Sequence, residues 1–464
     1  MKAIVLTFER LATRFLGCYG NDLVATPHWD HLASMATVFD HCLTESANRE
    51  HMHDVWSGCH LHPSRTHEDV PDLLGELRAQ GVTTRLIYES PSLLDARPRP
   101  DFDQRTPVDG ISGADAEDFE TPLAQLVAES CRQLESWSAA PQAELLWMHS
   151  QAIPIPWIPP QAWAAEYFED LTDEEDDESE TDTDDDNLSA ADTELDGPGD
   201  DDLLDFEEFV CSGGRLKAKH AWAATGLTAA DWSMARAAYA GYVSMVDACL
   251  GALLDAVEAV DDRLLLVVTS LAGQCVRNVQ NWTPAAENLR EEDLHCPLLI
   301  YDSANPHSTR RPDLVQHVDL PQSLLDWFGC TSNRMEGQSL LPALRNEPSF
   351  QRDYVCCSTT THRGIRSRDF ALVVPREADS NASDADALGP GQLYVKPDDY
   401  WEVTDLQAQY PLSAQQLAET LQAYESACST PPPANLPRIV SAVDARAPKP
   451  QEAHDQHTTQ DNRP

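Results

Sequence analysis

Residues 1–20 of the chain read MKAIVLTFERLATRFLGCYG, and this stretch carries the strongest fold signal. Its run at 3–7, AIVLT, is short, apolar and rich in β-branched residues, which predicts a buried strand. A turn containing two glycines follows at 17–21. In open α/β sheets, ligands bind beyond the carboxyl ends of the strands. The first functional side chains are therefore expected at Phe8 and Glu9.

Composition and charge limit the classes of function. The chain has 464 residues, 42% hydrophobic and 24% charged, as in ordinary globular proteins with a large core. Its formal net charge of −46 disfavours nucleic acid and anionic membrane surfaces as partners, since both would repel it. No run approaches the roughly 18 consecutive apolar residues of a membrane span, and the N-terminal run is too short for a signal peptide. We therefore expect a cytoplasmic location, no membrane partner and reduced cysteines.

Helical and strand patterns alternate along most of the chain, which predicts a largely parallel sheet flanked by helices. Predicted strands are 3–7, 82–88, 145–148, 264–270 and 297–301, and predicted helices are 71–80, 123–137, 228–257 and 319–328. Another helix is expected to begin at Pro27, with Thr26 as its N-cap. Asp247 and Asp319 are expected to serve helix capping and packing. Residues 91–118 are proline-rich and acidic, and an irregular loop is predicted there.

Three segments differ from this α/β pattern. In residues 169–208, 22 of 40 residues are Asp or Glu and none is basic, which predicts a disordered insertion in a surface loop. Residues 350–428 contain short strands without intervening helices and then one helix, which predicts a small antiparallel α+β subdomain. Residues 429–464 are polar and proline-rich, and a disordered tail is expected. The α/β core then comprises 1–168 and 209–349.

Short motifs follow one another in a fixed order along the chain. They read LGCYGN at 16–21, TPHWDHLA at 26–33, VFD at 38–40, PWIPP at 156–160, CPLLI at 296–300, GQSLLP at 337–342 and LYVKPDD at 393–399. Each motif is short, but the ordered set resembles the sulfatases of the alkaline phosphatase superfamily. The resemblance implies an alkaline-phosphatase-like α/β sandwich with a largely parallel central sheet flanked by helices, plus a small C-terminal antiparallel subdomain.

The resemblance also identifies the positions of the family's metal ligands. Sulfatases hold a divalent cation, usually calcium, with two N-terminal aspartates and an Asp-His or Asp-Asn pair after a later strand. In this sequence the first pair falls at Phe8 and Glu9, and the second at Leu271 and Ala272. Hard cations take oxygen ligands, and only Glu9 of these four side chains supplies a carboxylate. No cofactor is therefore expected, although calcium is usual in the family.

The family's nucleophile is a cysteine or serine of a C/S-x-P-S-R motif that is converted to formylglycine. Alignment on the SG pair at 57–58 places Asn48 at the nucleophile and Met52 at the arginine. Alignment on the PSR at 63–65 places Leu61 at the nucleophile instead, and leaves too short a spacing to the next helix. The first alignment is preferred, and neither supplies the required residue.

Other polar residues are candidates for a remaining site. The family's loop histidine falls at Pro154, but His149 and His295 lie near predicted strand ends and could form a residual pocket with Glu9. A cluster of imidazoles and one thiol could bind zinc or another transition metal, and solvated loop histidines are the alternative. Its members are His51, His53, Cys59, His60 and His62.

Together these positions predict a sulfatase-like pseudoenzyme with a binding or regulatory role, because the family's covalent, metal-assisted hydrolysis requires the missing groups. One alternative is an active sulfuric-ester or phosphate-type hydrolase with a rebuilt site that uses Glu9 and nearby histidines. Another is an anion-binding module in the inherited pocket. The sequence identifies no partner, although the acidic segment 169–208 is a candidate for docking a protein.

Overall fold

A computed structural model describes most of the chain. The described residues are 1–46, 52–60, 72–89, 100–137, 142–154, 157–178, 229–277, 289–345, 347, 352–376, 391–429 and 436–439. The predictions of disorder for 179–208 and for most of the C-terminal tail lie outside these ranges. Residues 436–439 are an exception within the predicted tail, because the hydroxyl of Tyr354 donates to the carbonyl of Pro437 at 2.6 Å.

Within these ranges, nine strands form a central sheet. They are β1 (Lys2–Phe8), β2 (Thr37–Leu43), β3 (Thr83–Tyr88), β4 (Gln104–Pro107), β5 (Glu144–Ser150), β6 (Leu264–Ser270), β7 (His295–Cys296), β8 (Leu298–Asp302) and β9 (Thr309–Val315). Their spatial order is β4-β3-β5-β1-β6-β8-β2-β7, with β9 beside β2. Strand β8 runs antiparallel to β6 and β2, and β7 antiparallel to β2. The predicted largely parallel sheet is therefore confirmed, with β1 at its centre.

Helices cover both faces of the sheet. They are α1 (Pro27–Met35), α2 (Met52–Ser57), α3 (Leu73–Ala79), α4 (Pro122–Trp137), α5 (Gln161–Glu178), α6 (Ala229–Glu258), α7 (Glu291–Leu294), α8 (Asp319–Trp327), α9 (Leu341–Leu344) and α10 (Pro411–Cys428). Short 3-10 helices lie at Thr13–Phe15, Gly17–Tyr19 and Asp118–Glu120. Glycines with positive φ lie at Gly81 and Gly329, directly after the predicted helices 71–80 and 319–328.

Strand β1 is buried along its whole length, and its side chains alternate between the two faces of the sheet. Ile4 and Leu6 join the apolar cluster formed with α1, α4 and α6, whereas Ala3 and Val5 join the cluster formed with α3 and α8. At the start of the strand, the ammonium group of the buried Lys2 lies 3.2 Å from the carboxylate of Glu144. The strand is thus the shared wall of two hydrophobic cores.

Helix α6 has the composition of a membrane span. Residues Trp232–Glu258 are long and apolar enough to cross a membrane, with a mean hydropathy of 1.4. A search for uninterrupted apolar runs does not detect this helix because charged residues divide it. In the structure, 67% of its apolar window is buried, and the helix packs against α1, α4 and α5. The core packing of α6 explains its apolar composition.

The start of α1 is capped from a distant part of the chain. The prediction that the side chain of Thr26 caps the helix is wrong, because its hydroxyl accepts from the backbone N–H of Gly17 at 2.8 Å. The carboxylate of Asp247 on α6 takes that role and accepts from the backbone N–H groups of His28 and Trp29, both at 3.0 Å. The capping role expected of Asp247 is therefore confirmed.

Several elements differ from the sequence prediction. Strand β4 lies within 91–118, where an irregular loop was expected, and pairs with β3 at an edge of the sheet. Strand β9 is also unexpected, because its residues TRRPDLV show no apolar alternation. Helix α5 continues to Glu178, so the beginning of the acidic segment 169–208 is helical rather than irregular.

The predicted C-terminal antiparallel sheet is present. Its strands are β10 (Tyr354–Ser358), β11 (His362–Ser367), β12 (Phe370–Pro375) and β13 (Gln392–Val395), in the order β10-β11-β12-β13. All their pairings are antiparallel, and α10 packs against β11 and β12. Side chains of the sheet and of α10 form one apolar cluster.

A buried ionic cluster joins the small sheet to the larger one. Arg366 on β11 lies 2.6 Å from the carboxylate of Glu291 on α7 and 2.6 Å from that of Glu402. Lys396 contacts the same two carboxylates, at 3.2 and 3.0 Å. Arg366 is only 2% exposed, and Glu402 adopts a strained backbone with φ of 55°. The docking of the small sheet therefore depends on paired buried charges.

Substitution of Arg366 tests this dependence. Arg366→Met should lower the free energy of unfolding by about 3 kcal/mol, the lower end of the range for a broken buried pair, because Lys396 still contacts both carboxylates. Urea unfolding followed by far-UV circular dichroism measures the change. The matched control is Arg368→Met, which removes an exposed arginine 3.8 Å from Asp313. It should change the free energy of unfolding by no more than about 0.5 kcal/mol. Equal losses for the two variants would contradict the role of Arg366.

Acid should weaken the same cluster. Burial raises the pKa of Glu291, but the cations of Arg366 and Lys396 outweigh it and hold the pKa below its ordinary value of 4.5. The stabilisation is therefore complete above pH 4.5 and is lost as the pH falls through the lower pKa of the folded state. Glu291→Gln should lower the free energy of unfolding at about pH 6, and should lower it by a clearly smaller amount at about pH 3. A cost that does not change with pH would contradict this assignment.

Candidate functional site

The exit of β1 holds an aromatic ring where the family's first metal ligand is expected. Phe8 pairs in register with Ser150 on β5 and Ser270 on β6. Its side chain is 1% exposed and lies in the core near Trp29, with ring centroids 6.2 Å apart. Phe8 therefore supplies apolar packing and no ligand atom.

The exit of β6 is equally apolar. Leu271 and Ala272 are 3% and 2% exposed and belong to two different apolar clusters. The backbone N–H of Leu271 donates to the carbonyl of Phe8 at 2.8 Å, which ties the two strand exits together. A Cβ on Gly273 would lie 2.1 Å from the carbonyl oxygen of Glu292, so only glycine fits there. Tightly packed backbone and apolar side chains therefore occupy the place where the resemblance to the family predicts the second ligand pair.

Glu9 lies beside a second carboxyl group that sequence reasoning missed. Glu9 is partly buried, and its backbone N–H donates to the carbonyl of Ser150 at 2.9 Å. Glu89 follows β3 and accepts from the hydroxyl of Ser150 at 2.5 Å and from the backbone N–H of Gln151 at 2.9 Å. Burial raises the pKa of Glu89 to about 7. The two hydrogen bonds oppose this rise, and the charge of Glu9 adds to it. The strand-end rule that selects Phe8 and Glu9 would also have found Glu89 after the predicted strand 82–88.

His149 lies inside the protein rather than in a cleft. Its Nδ1 lies 3.0 Å from the hydroxyl of Thr7, in the strand row just before the exit of β1. Thr269 occupies the same row on β6, and its hydroxyl lies 3.3 Å from Nε2 of His317. Burial lowers the pKa of His149 to about 3 and that of His317 to about 4. Both imidazoles are therefore neutral parts of a buried polar row.

His295 belongs to a different network. Its Nδ1 lies 3.2 Å from the hydroxyl of Thr13, and its ring packs edge-on against Tyr19 at 5.9 Å and lies 6.4 Å from His41. Burial lowers the pKa of His295 below its ordinary value, although the charge of Glu291 opposes this. The expected convergence of His149, His295 and Glu9 is not supported by these contacts, because the two histidines bond to different threonines on separate segments.

One cation lies close to the exit of β6. The guanidinium of Arg10 contacts the carbonyl oxygen of Gly273 at 3.4 Å. Burial raises the pKa of the nearby Asp293 to about 6, and the charge of Arg10 opposes this rise. The carboxylate of Asp293 also accepts from the backbone N–H of Cys275 at 3.2 Å. Arg10 thus places a positive charge beside the exit of β6.

Four predicted site residues lie outside the described residues. They are Asn48, His51, Leu61 and His62. Met52 and His53 lie on α2.

Two members of the candidate transition-metal cluster, Cys59 and His60, have side chains among the described residues. The imidazole of the buried His60 bonds to the carboxylate of Glu45, and its backbone N–H donates to Glu336 at 2.8 Å. Cys59 is 2% exposed, and its backbone N–H donates to the hydroxyl of Ser57 at 3.2 Å. The 11 cysteines among the described residues are free thiols, as expected. In the same ranges, no group of three His, Cys, Asp or Glu side chains could hold a metal ion.

A cavity of about 160 Å³ opens beside these strand exits. Its wall includes Glu89 and Gln151, and Pro154, at the position of the family's loop histidine, also lines it. The backbone of Ala152 in the wall has a φ of 52°, an unusual value for a residue other than glycine. The cavity is a candidate place for a ligand beside these strand exits.

The described residues at the inherited position do not fit a calcium ion. Calcium takes six to eight oxygen ligands. Phe8, Leu271 and Ala272 offer no side-chain oxygen, and their burial leaves the space filled by carbon. Glu9 alone keeps the expected type of ligand.

Comparisons with known proteins agree with this fold. A sequence profile described as Sulfatase matches residues 2–330. A solved structure in complex with its substrate D-glucosamine-2-N,6-O-disulfate is similar to this chain, with a TM-score of 0.66 and 17% identity over 93% of this chain and 98% of that one. The phosphonate monoester hydrolase of Agrobacterium radiobacter also reaches a TM-score of 0.66, with 17% identity over 92% and 96%. A 2-O GAG sulfatase reaches 0.63, with 16% identity over 92% of both chains.

These identities establish the fold and not a shared substrate. A comparison with curated proteins finds no match. The family profile covers well over half of the chain, and the structure has the sheet order and helices described above. The chain therefore belongs to the sulfatase family.

Proposed function

We propose that this member of the sulfatase family is a pseudoenzyme with a binding or regulatory role. The observation that carries the proposal is the burial of Phe8, Leu271 and Ala272 in apolar clusters at positions assigned to metal ligands. Reversal of any single substitution would leave the other two positions apolar. The proposal therefore rests on three positions and not on one.

The chemistry of the family explains why these changes matter. Metal-assisted hydrolysis needs a cation to polarise the ester and an activated nucleophile to attack it. Asn48, at the preferred nucleophile position, and Leu61, at the alternative one, cannot be converted to formylglycine, which requires cysteine or serine. Both requirements are thus unmet on the alignment used.

The state of the remaining histidines supports the same proposal. A general base must lie within reach of a substrate proton and have a pKa near the working pH. Burial places the pKa of His149 at about 3, and its Nδ1 is engaged with Thr7. The pKa of His295 is lowered as well. A rebuilt hydrolase that uses these imidazoles is therefore the weaker alternative.

A binding role has two candidate locations. The cavity beside Glu89 is one. The other is the acidic segment 169–208, whose charge would attract a basic protein surface. We propose no cofactor for either location.

Ester hydrolysis is the direct test of the proposal. Chromogenic sulfate, phosphate and phosphonate esters, each with calcium, zinc or manganese, should be turned over no faster than in buffer, because no described ligand set holds the metal. The control is Glu9→Ala, which removes the surviving carboxylate and should give the same background. Turnover by the natural chain that disappears in Glu9→Ala would overturn the proposal.

A second test asks whether the metal position can be restored. Phe8→Asp should lower the free energy of unfolding by more than about 3 kcal/mol, since it removes a core ring and buries a carboxyl group. The matched variant Phe8→Leu keeps the site apolar and should cost about 1–2 kcal/mol. Thermal melting of the two variants, each with and without millimolar calcium, measures these losses of stability. Recovery of Phe8→Asp by calcium, without an effect on Phe8→Leu, would reveal an intact metal site.

A further inference from the structure

The cavity beside Glu89 has features of a separate ligand site. It lies at the carboxyl ends of β3 and β5, where ligands bind in open α/β sheets. The start of α4 and the side of α6 complete its wall, through Pro122 and Leu123 on one side and Tyr242 and Met245 on the other. A ligand there would contact neither Phe8 nor Leu271, which point into the core.

The backbone around the cavity is closely packed and hydrogen-bonded. A Cβ on Gly110 would lie 2.4 Å from the backbone nitrogen of Pro122, so this loop can approach α4 only because it carries glycine. The strained turn at Ala152 is fixed by a hydrogen bond from its N–H to the hydroxyl of Ser150 at 2.8 Å. The same hydroxyl donates to Glu89. One serine thus orients both the turn and the carboxyl group, which gives the cavity a preformed shape.

The charge of the wall is negative. Glu89 faces the cavity and Asp109 lies at its exposed rim, while the charge of Glu9 also acts on Glu89. Among the described residues that line the cavity, none is Lys, Arg or His. An anion such as a sulfate ester would meet repulsion without a compensating donor.

The remaining bonding capacity of Glu89 favours a donor as ligand. An ionised carboxylate accepts through about four lone-pair directions. The hydroxyl of Ser150 and the backbone N–H of Gln151 occupy one on each oxygen. A cationic N–H group would fill another with a charge-assisted hydrogen bond, about twice as strong as a neutral one.

The apolar part of the wall and the volume set the size of the ligand. Leu123, Met245 and Val108 present carbon to the space. A cavity of about 150 Å³ accommodates benzene, and this one has about 160 Å³. One six-membered ring with a short polar substituent therefore matches the volume.

We propose that this cavity binds a small organic ammonium compound, with its cationic nitrogen against Glu89 and a single hydrocarbon ring against Leu123 and Met245. The inference goes beyond the pseudoenzyme proposal and does not depend on it, because amine binding and ester hydrolysis are measured separately. It assigns the cavity a ligand opposite in charge to the sulfate esters that give the family its name.

Binding should strengthen with pH. Burial raises the pKa of Glu89 to about 7, so its carboxylate is mostly protonated near pH 6 and mostly ionised near pH 8. An alkylammonium group like that of lysine keeps its charge to about pH 10. The affinity for an amine should therefore increase about tenfold from pH 6 to pH 8, in proportion to the ionised fraction of Glu89. An uncharged ligand should show no such increase.

Isothermal titration calorimetry with a matched set of probes tests the proposal. The probes are cyclohexylamine, cyclohexanol, cyclohexanecarboxylate and inorganic sulfate, titrated into the full chain. Cyclohexylamine should bind most tightly at pH 8, and Glu89→Gln should weaken it at least tenfold and leave cyclohexanol unchanged. Asp109→Asn, on the exposed rim, should weaken the amine by a smaller factor.

Several results would overturn the proposal. They are no binding of cyclohexylamine, tighter binding of cyclohexanecarboxylate or sulfate, or an amine affinity that Glu89→Gln does not change. If Glu89→Gln fails to fold, the pH dependence of the natural chain decides: an amine affinity equal at pH 6 and pH 8 rejects the role of Glu89. Ester turnover alongside amine binding would reject only the pseudoenzyme proposal.

Discussion

The packing of Phe8 near Trp29 is the contact that determines the chemistry at the carboxyl end of β1. A carboxylate at that position would need a cation to offset the cost of its burial. The aromatic ring removes the need for the cation and adds its area to the core formed with α1, α4 and α6. Because the Leu271 N–H is bonded to the carbonyl of Phe8, the exit of β6 is held against the exit of β1. The two strand exits thereby form a junction between apolar clusters.

The charged groups at the strand ends act on one another. Glu9 and Glu89 lie near each other, and the pKa of Glu89 responds to this repulsion as well as to burial. Arg10 supplies positive charge, but it is directed toward Gly273 and acts on Asp293. The positive charge of Arg10 thus acts on a carboxyl group beside the exit of β6, whereas the two glutamates follow the exits of β1 and β3.

Much of the fold could be predicted from the sequence, because buried strands have strong local signals. Strand β6 matches the predicted run 264–270, and the glycines after α3 and α8 mark real helix ends. Strands β4 and β9 could not be predicted, because their polar residues lack the alternation of a half-buried strand. Their pairing depends on β3 and β2, which are distant contacts that a local pattern does not contain.

The candidate site was predictable to a smaller extent, for a similar reason. Positions such as Phe8 and Leu271 follow from strand ends, and the structure places both at those exits. Whether a histidine faces a cleft or the interior depends on strand register, which set His149 opposite Thr7. The capping of α1 by Asp247 likewise joins groups more than 200 residues apart. The position of β1 between β5 and β6 also affects synthesis of the chain. The edge of β1 that faces β5 can pair once residue 150 is made, but the edge that faces β6 stays unpaired until residue 270 is made. At 5–20 residues per second that interval is about 6–24 s, so the nascent chain exposes a long apolar strand edge to which chaperones can bind.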